Sequence, residues 1–247
     1  CNIDFNGSNP LSIAKNLYLN GNLVTDLVIP GGVTDIKSCA FENCTSVKSV
    51  TIGGNVGYIG ERAFYGCPIS TLDIPYNVHY ISSNAFGNCT SLTEVSIGNG
   101  TARLEGAFNG CTSLKNITVD DTNASYTSAD GVLYSKWQTE IVAFPPMSDI
   151  KVFEVPYGIT EIPAYAFSNC KNLKRVILPD SITSIGKNAF YNCRALENVN
   201  IPKKVTSIGE YAFCYCSNLK NIVLPDGIDT IADSVFNGCS SLTEIAI

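Results

Sequence analysis

Residues 173–190 read LKRVILPDSITSIGKNAF, and the whole chain repeats this phrase with substitutions. Aligned on the final phenylalanine, the copies end at Phe41, Phe64, Phe86, Phe108, Phe167, Phe190, Phe213 and Phe236. The intervals are 23, 22, 22, 59, 23, 23 and 23 residues. A fixed period in this range marks a solenoid, in which each turn buries its apolar face against its two neighbours only.

Working outward, each copy follows L-x-x-V-x-I-P-x-x-V-x-x-I-G-x-x-A-F-x-N-C. The V-x-I pair predicts a short strand with side chains alternating between core and one open face. It occurs at Leu27/Ile29, Val50/Ile52, Leu72/Ile74, Val95/Ile97, Ile117/Val119, Phe153/Val155, Val176/Leu178, Val199/Ile201, Ile222/Leu224 and Ile245/Ile247. Proline follows the strand in most turns, as at Pro179 and Pro202; lacking an N–H, it stops the ladder. Two further apolar positions, such as Ile182 and Ile185, predict a turn through the core. The A-F-x-x-C segment is expected to form one helical turn on the convex side. The slot before the cysteine holds Asn or Gly, which tolerate the left-handed backbone that ends such a turn. Tyr215 departs from this, so local distortion is expected there.

Stacking these strands predicts about ten parallel strands on a concave face. The L-x-x-L-x-L spacing is that of a leucine-rich repeat solenoid, an α/β-type architecture that is mostly β. With I-P after the strand and A-F-x-x-C behind it, residues 24–247 resemble the BspA-like leucine-rich repeats of bacterial surface proteins. That resemblance implies a cell-surface or secreted adhesion module. It also implies extracellular protein or glycoprotein partners of the fibronectin or fibrinogen kind.

Residues 1–23 fall outside the repeat. Leu17–Leu19, Asn20-Gly21 and Leu23-Val24 read as a hairpin with the favoured type I′ pair, expected to cap the first turn. About 13 extra residues lie between Phe108 and Phe167. They predict a β-hairpin insert at about 121–148, with strands at 130–135 and 140–145. It reads either as a structural seal between two stacks or as part of the binding face. The chain opens at Cys1 and stops at Ile247 inside a copy, so a piece of a longer protein is expected. A lipidated first residue of a mature bacterial lipoprotein is the other reading of Cys1.

Composition narrows the function. The net charge is −6, only 15% of residues are charged, and no Lys/Arg run exists to neutralise phosphates, which argues against nucleic acid. No apolar run is long enough to span a membrane. Eight of the eleven cysteines occupy one repeat position, at 44, 67, 89, 111, 170, 193, 216 and 239. Their 22-residue or longer spacing does not suit zinc, and parallel side chains do not point at one another as a disulfide requires. Buried thiols filling one core niche are expected, with Cys1, Cys39 and Cys214 left over. The single histidine, His79, has no partner supplied by the repeat, and no nucleophile or phosphate-loop motif occurs. Neither catalysis nor a cofactor is expected. Asp120, Asp121, Asn123 and Asp130 could offer oxygens to calcium but lack EF-hand spacing, and turn chemistry accounts for them equally well.

The remaining candidate is surface. The concave positions Arg175, Ile177, Asn198, Asn200, Asn221 and Val223 mix one cation, two aliphatics and several amides, suited to a desolvated centre with a polar rim. Tyr76, His79 and Tyr80 form a second candidate, a tyrosine edge for glycan. A passive spacer is the third reading.

Overall fold

The computed structural model describes residues 15–228 and 230–246, which form two compact units divided between Lys136 and Trp137. Cys1, Ile247 and the expected cap residues before Lys15 lie outside the described residues. The fold is a β-solenoid of leucine-rich-repeat type with about ten turns. In the first unit the main strands are Asp26–Val28, Ser49–Thr51, Thr71–Ile74, Glu94–Ile97 and Asn116–Val119. In the second they are Val152–Glu154, Arg175–Ile177, Asn198–Val199, Asn221–Val223 and Glu244–Ala246. Paired neighbours run parallel, for example Leu72 opposite Val95 and Val176 opposite Val199. Alternation is clean: Leu72 and Ile74 are buried while Thr71 and Asp73 face out.

Each turn also contributes a second, two-residue strand. Asp35–Ile36, Tyr58–Ile59, Tyr80–Ile81 and Arg103–Leu104 form a parallel sheet in the first unit. Glu161–Ile162, Ser184–Ile185 and Ser207–Ile208 do so in the second.

The expected helical turn is absent: among the described residues there is no helix. The A-F-x-N-C segment is instead a pair of linked tight turns whose alternate N–H groups point in two directions. Ala40 and Glu42 donate within their own turn, to Lys37 and Cys39, while Phe41 and Asn43 donate to Ala63 and Tyr65 of the next turn (2.7 and 2.6 Å). A helix would direct every N–H along its own axis and leave the neighbouring turn's carbonyls unbonded. The bends need left-handed residues at two places, four apart: Cys39/Asn43, Arg62/Gly66, Asn84/Asn88, Gly106/Gly110, Tyr165/Asn169, Asn188/Asn192, Tyr211/Tyr215 and Ser234/Gly238. Tyr215 causes no distortion. At φ 61° it matches its equivalents, and its N–H reaches Asn237 at 2.7 Å. Its ring lies against Gly238, where any Cβ would collide.

Two stacked columns fill the core. Rings of successive phenylalanines lie parallel, 5.0 Å apart for Phe167–Phe190 and Phe190–Phe213, and 5.1 Å for Phe41–Phe64. Phe144 and Phe153 close on Phe167 at 5.0 and 5.6 Å, so the second unit's column starts on rings rather than on water. Beside it, the periodic thiols other than Cys44 and Cys170 donate to the phenylalanine carbonyl one turn back, as Cys67 to Phe41 (3.0 Å), Cys89 to Phe64 (3.2 Å), Cys193 to Phe167 (2.8 Å) and Cys216 to Phe190 (3.1 Å). None of the ten described cysteines is in a disulfide.

A hairpin, Tyr18–Leu19 with Asn22–Leu23, turns through Asn20 and Gly21, both left-handed as type I′ demands. Another pairs Tyr126–Ala129 with Val132–Ser135. Its turn is Asp130-Gly131 (φ 51° and 80°), which the sequence reading had placed inside a strand. The second unit contributes the strand Ile141–Ala143.

Phe190→Ala removes a ring stacked on both sides and is expected to destabilise by about 3–5 kcal/mol in denaturant titrations, since neighbouring turns cannot collapse into the gap. Thiol chemistry gives a second check. Burial pushes Cys67 and Cys111 up to about 12 and raises Cys193 as well. Cys239 is only half-buried, so an alkylating reagent reaches its thiol more readily. Because only thiolate reacts, mass spectrometry after native alkylation should find Cys239 labelled first and Cys67, Cys111 and Cys193 labelled only in denaturant.

Candidate binding face

The parity of the main strands decides what the second unit displays. With Phe153, Val176, Val199 and Ile222 buried, the residues on either side face outward. Two rows at 23-residue intervals result, and neighbours within a row stand about 4.8 Å apart. The first is Val152, Arg175, Asn198, Asn221 and Glu244; the second is Glu154, Ile177, Asn200, Val223 and Ala246. Register fixes the neighbours: Val152 beside Arg175, Arg175 beside Asn198, Glu154 beside Ile177, and Asn221 beside Glu244.

All six expected residues lie on this face, but they are not equivalent. Arg175 is exposed and has no ion-pair partner among the described residues. It is flanked by Val152, which is 55% exposed. Val223 is 64% exposed and Ile177 half-buried. Asn200 is different. Its amide donates to the Leu178 carbonyl and accepts the Leu178 N–H, both at 2.9 Å, taking the place of a strand that ends at Val199. Among the described residues no ladder joins Asn198–Val199 to Asn221–Val223. Asn200 therefore stitches backbone, while the amides of Asn198 and Asn221 have no hydrogen-bond partner among the described residues.

Sequence reasoning missed two features. Val152 was left out, although its place one residue before buried Phe153 was signal enough. The other is the row just ahead of the strands: Lys151, Lys174, Glu197, Lys220 and Thr243. Glu197 lies 3.4 Å from each of Lys174 and Lys220, and hydrogen bonds from these two ammonium groups hold its carboxyl below the usual range. Earlier in each turn, just after the periodic cysteine, stand Lys171, Arg194, Ser217 and Ser240, with the Arg194 Nε–H donating to Asn192 Oδ1 at 2.8 Å.

The same face of the first unit is partly engaged with itself, although Val28 there is 65% exposed. Ser49 and Thr25 hydroxyls donate to Asp26, in that order of effect, and lower its carboxyl; Ser96 donates to Asp73. Of the second candidate group, Tyr76 is 69% exposed and His79 places Nδ1 3.0 Å from the Gly100 carbonyl oxygen. Tyr80 belongs to a row on the second sheet, Asp35, Tyr58, Tyr80 and Arg103. The Tyr58 ring lies 5.3 Å from it and the Arg103 guanidinium 5.0 Å above it. Among the described residues no three His, Cys, Asp or Glu side chains converge on a metal position. Asn123 is buried and fully engaged, donating to Gly98 and Thr101 and accepting from Ser125 and Tyr126. No helix is long and apolar enough to cross a membrane among the described residues.

The profile of the family described as "BspA type leucine rich repeat region" matches residues 11–129 and 140–247 in six copies. A leucine-rich repeat protein from Eubacterium ventriosum is similar in structure, with 23% identity and a TM-score of 0.73 over 91% of this chain and 73% of that one. The pneumococcal vaccine antigen PcpA gives 20% identity and 0.70 over 90% and 67%. A leucine rich cell surface protein from Faecalibacterium prausnitzii gives 26% and 0.58 over 92% and 80%. No relative among curated protein sequences matches the chain.

The two kinds of asparagine are separable. Asn200→Ala leaves Leu178 without both partners and should cost about 1–2 kcal/mol in thermal or chemical unfolding. Asn221→Ala, on the same face, should stay within about 0.5 kcal/mol of the parent.

Proposed function

The chain belongs to the BspA-type leucine-rich repeat family, and from that premise we propose that it is a non-enzymatic binding module of a bacterial surface or secreted protein. Its partner is an extracellular protein or glycoprotein held on the outer face of the second unit's main sheet. The observation that carries this is Arg175, an exposed guanidinium without an ion-pair partner among the described residues, set beside exposed Val152 and close to Ile177. A cation next to apolar groups, with amides around it, suits the desolvated centre of an interface better than a bare solvated surface. The similar Faecalibacterium prausnitzii protein is a cell surface protein, which agrees with an outward-facing role. Matrix proteins of the fibronectin and fibrinogen kind are the partner class that the family resemblance suggests. One observation favours a second reading: Tyr58, Tyr80 and Arg103 make a short aromatic and cationic row that would suit a glycan.

The test is a binding panel of purified matrix proteins against the parent and the double variant Arg175→Glu/Ile177→Glu. Both side chains point away from the core, so stability should change by less than about 1 kcal/mol. Affinity for a protein that the parent binds should fall about tenfold or more, because two carboxylates would sit in the middle of the contact. Unchanged affinity would remove this face from consideration, and loss on Tyr58→Ala/Tyr80→Ala instead would support the glycan reading.

A further inference from the structure

Charge is unevenly spread in a way the family fold does not require. The chain as a whole is at −6, yet Lys151, Lys174 and Lys220 stand just ahead of the second unit's main strands with Arg175 beside them, and Lys171 and Arg194 come three residues earlier in their turns, Arg194 donating its Nε–H to Asn192 Oδ1 at 2.8 Å. Adjacent backbones are bonded there: the Lys174 N–H reaches the Lys151 carbonyl at 2.8 Å, and the Glu197 N–H reaches the Lys174 carbonyl at 2.8 Å. Asp149, Glu154, Glu197 and Glu244 are the carboxylates of this edge and face, four against six cations, and they leave a small excess of positive charge. The corresponding edge of the first unit carries Thr25, Lys48, Ser70, Thr93 and Lys115 ahead of its strands, with Asp26 and Glu94 at strand starts, and is close to neutral.

We propose that this edge receives an extended acidic polypeptide segment whose aliphatic side chains lie over Val152 and Ile177. The inference rests on the binding-face reading above and adds the chemistry of the partner. Charge complementarity selects an acidic ligand, since several exposed cations about 4.8 Å apart raise the local potential. Two details select a polypeptide over a uniform polyanion such as a sulfated glycan. Glu197 stands inside the cationic row, 3.4 Å from both Lys174 and Lys220, and would repel a chain charged at every unit. A peptide can place a neutral residue there. The exposed Val152 and half-buried Ile177, immediately beside Arg175, offer apolar contact that a polypeptide uses and a sulfated sugar does not.

The experiment measures fluorescence anisotropy of a labelled peptide alternating glutamate and valine, with a lysine–valine peptide and heparin as comparisons. The variant is Lys171→Ser/Arg194→Ser. It copies Ser217 and Ser240 at the same position two turns further on, so the fold tolerates it. The parent should bind the acidic peptide, lose about tenfold in affinity between 50 and 200 mM salt, and lose about fivefold in the double variant. Equal binding of the lysine–valine peptide, or of the acidic peptide by parent and double variant, would overturn the proposal. So would binding of heparin alone, sensitive to the same two changes, which would make the edge a polyanion site. These outcomes are independent of the Arg175→Glu/Ile177→Glu panel. A matrix protein lost in that panel but indifferent to Lys171→Ser/Arg194→Ser would leave the face in place and remove only the acidic segment.

Discussion

The backbone carbonyl of the repeated phenylalanine is the group on which each turn's position depends. It has two lone pairs, and the fold uses both. For Phe190 one accepts the N–H of Cys193 in the same turn (3.2 Å), which closes the tight bend, and the other accepts the thiol of Cys216 in the next (3.1 Å). The phenylalanine N–H meanwhile donates forward to Ala212, and the ring stacks on Phe213 at 5.0 Å. One residue thus sets bend, axial spacing and lateral register together. Cysteine suits the partner position because it is small and apolar and still offers a weak donor. A serine would fit the space but would bring a more strongly hydrated hydroxyl into a closed core.

That constraint explains what could be read from the sequence. Much that is tied to the 23-residue period was visible, the ten main strands and most of the buried cysteines among it, but Cys239 at the last periodic position is only half-buried and Cys214, outside the period, is buried. The A-F-x-x-C segment was misread because Phe and Cys three residues apart fit a helix and a pair of linked tight turns equally. Only the partners of Phe41 and Asn43 in the next turn separate the two. The second sheet was invisible for another reason. A strand such as Tyr58–Ile59 buries one side chain, and a period of two cannot be seen in a single residue. Nor could Cys39, Arg62 and Tyr165 be recognised as left-handed, because their types argue against that conformation and only the neighbouring turn enforces it.

The candidate face was legible in outline and not in detail. Outward parity placed Arg175, Ile177, Asn198, Asn200, Asn221 and Val223 together, because a strict repeat makes facing positions a matter of counting. Counting cannot say which of three asparagines is already hydrogen-bonded. Asn200 is engaged only because its strand stops one residue early, at Val199, leaving Leu178 with both backbone groups to satisfy.

The two units divide stability and display differently, each within its own sheet. In the first, the outer hydroxyls and carboxylates satisfy one another across strands, as Ser49 does Asp26 and Ser96 does Asp73. A partner would have to break those bonds before making its own, and the net gain would be small. In the second unit Arg175 has no such internal partner among the described residues, and Val152 and Val223 stand in water. Nothing in the phenylalanine and cysteine columns demands these side chains, since the same columns carry serine and threonine outward in the first unit. These outward side chains are therefore free of the repeat's own packing demands, and they are the ones that the proposed partner would cover.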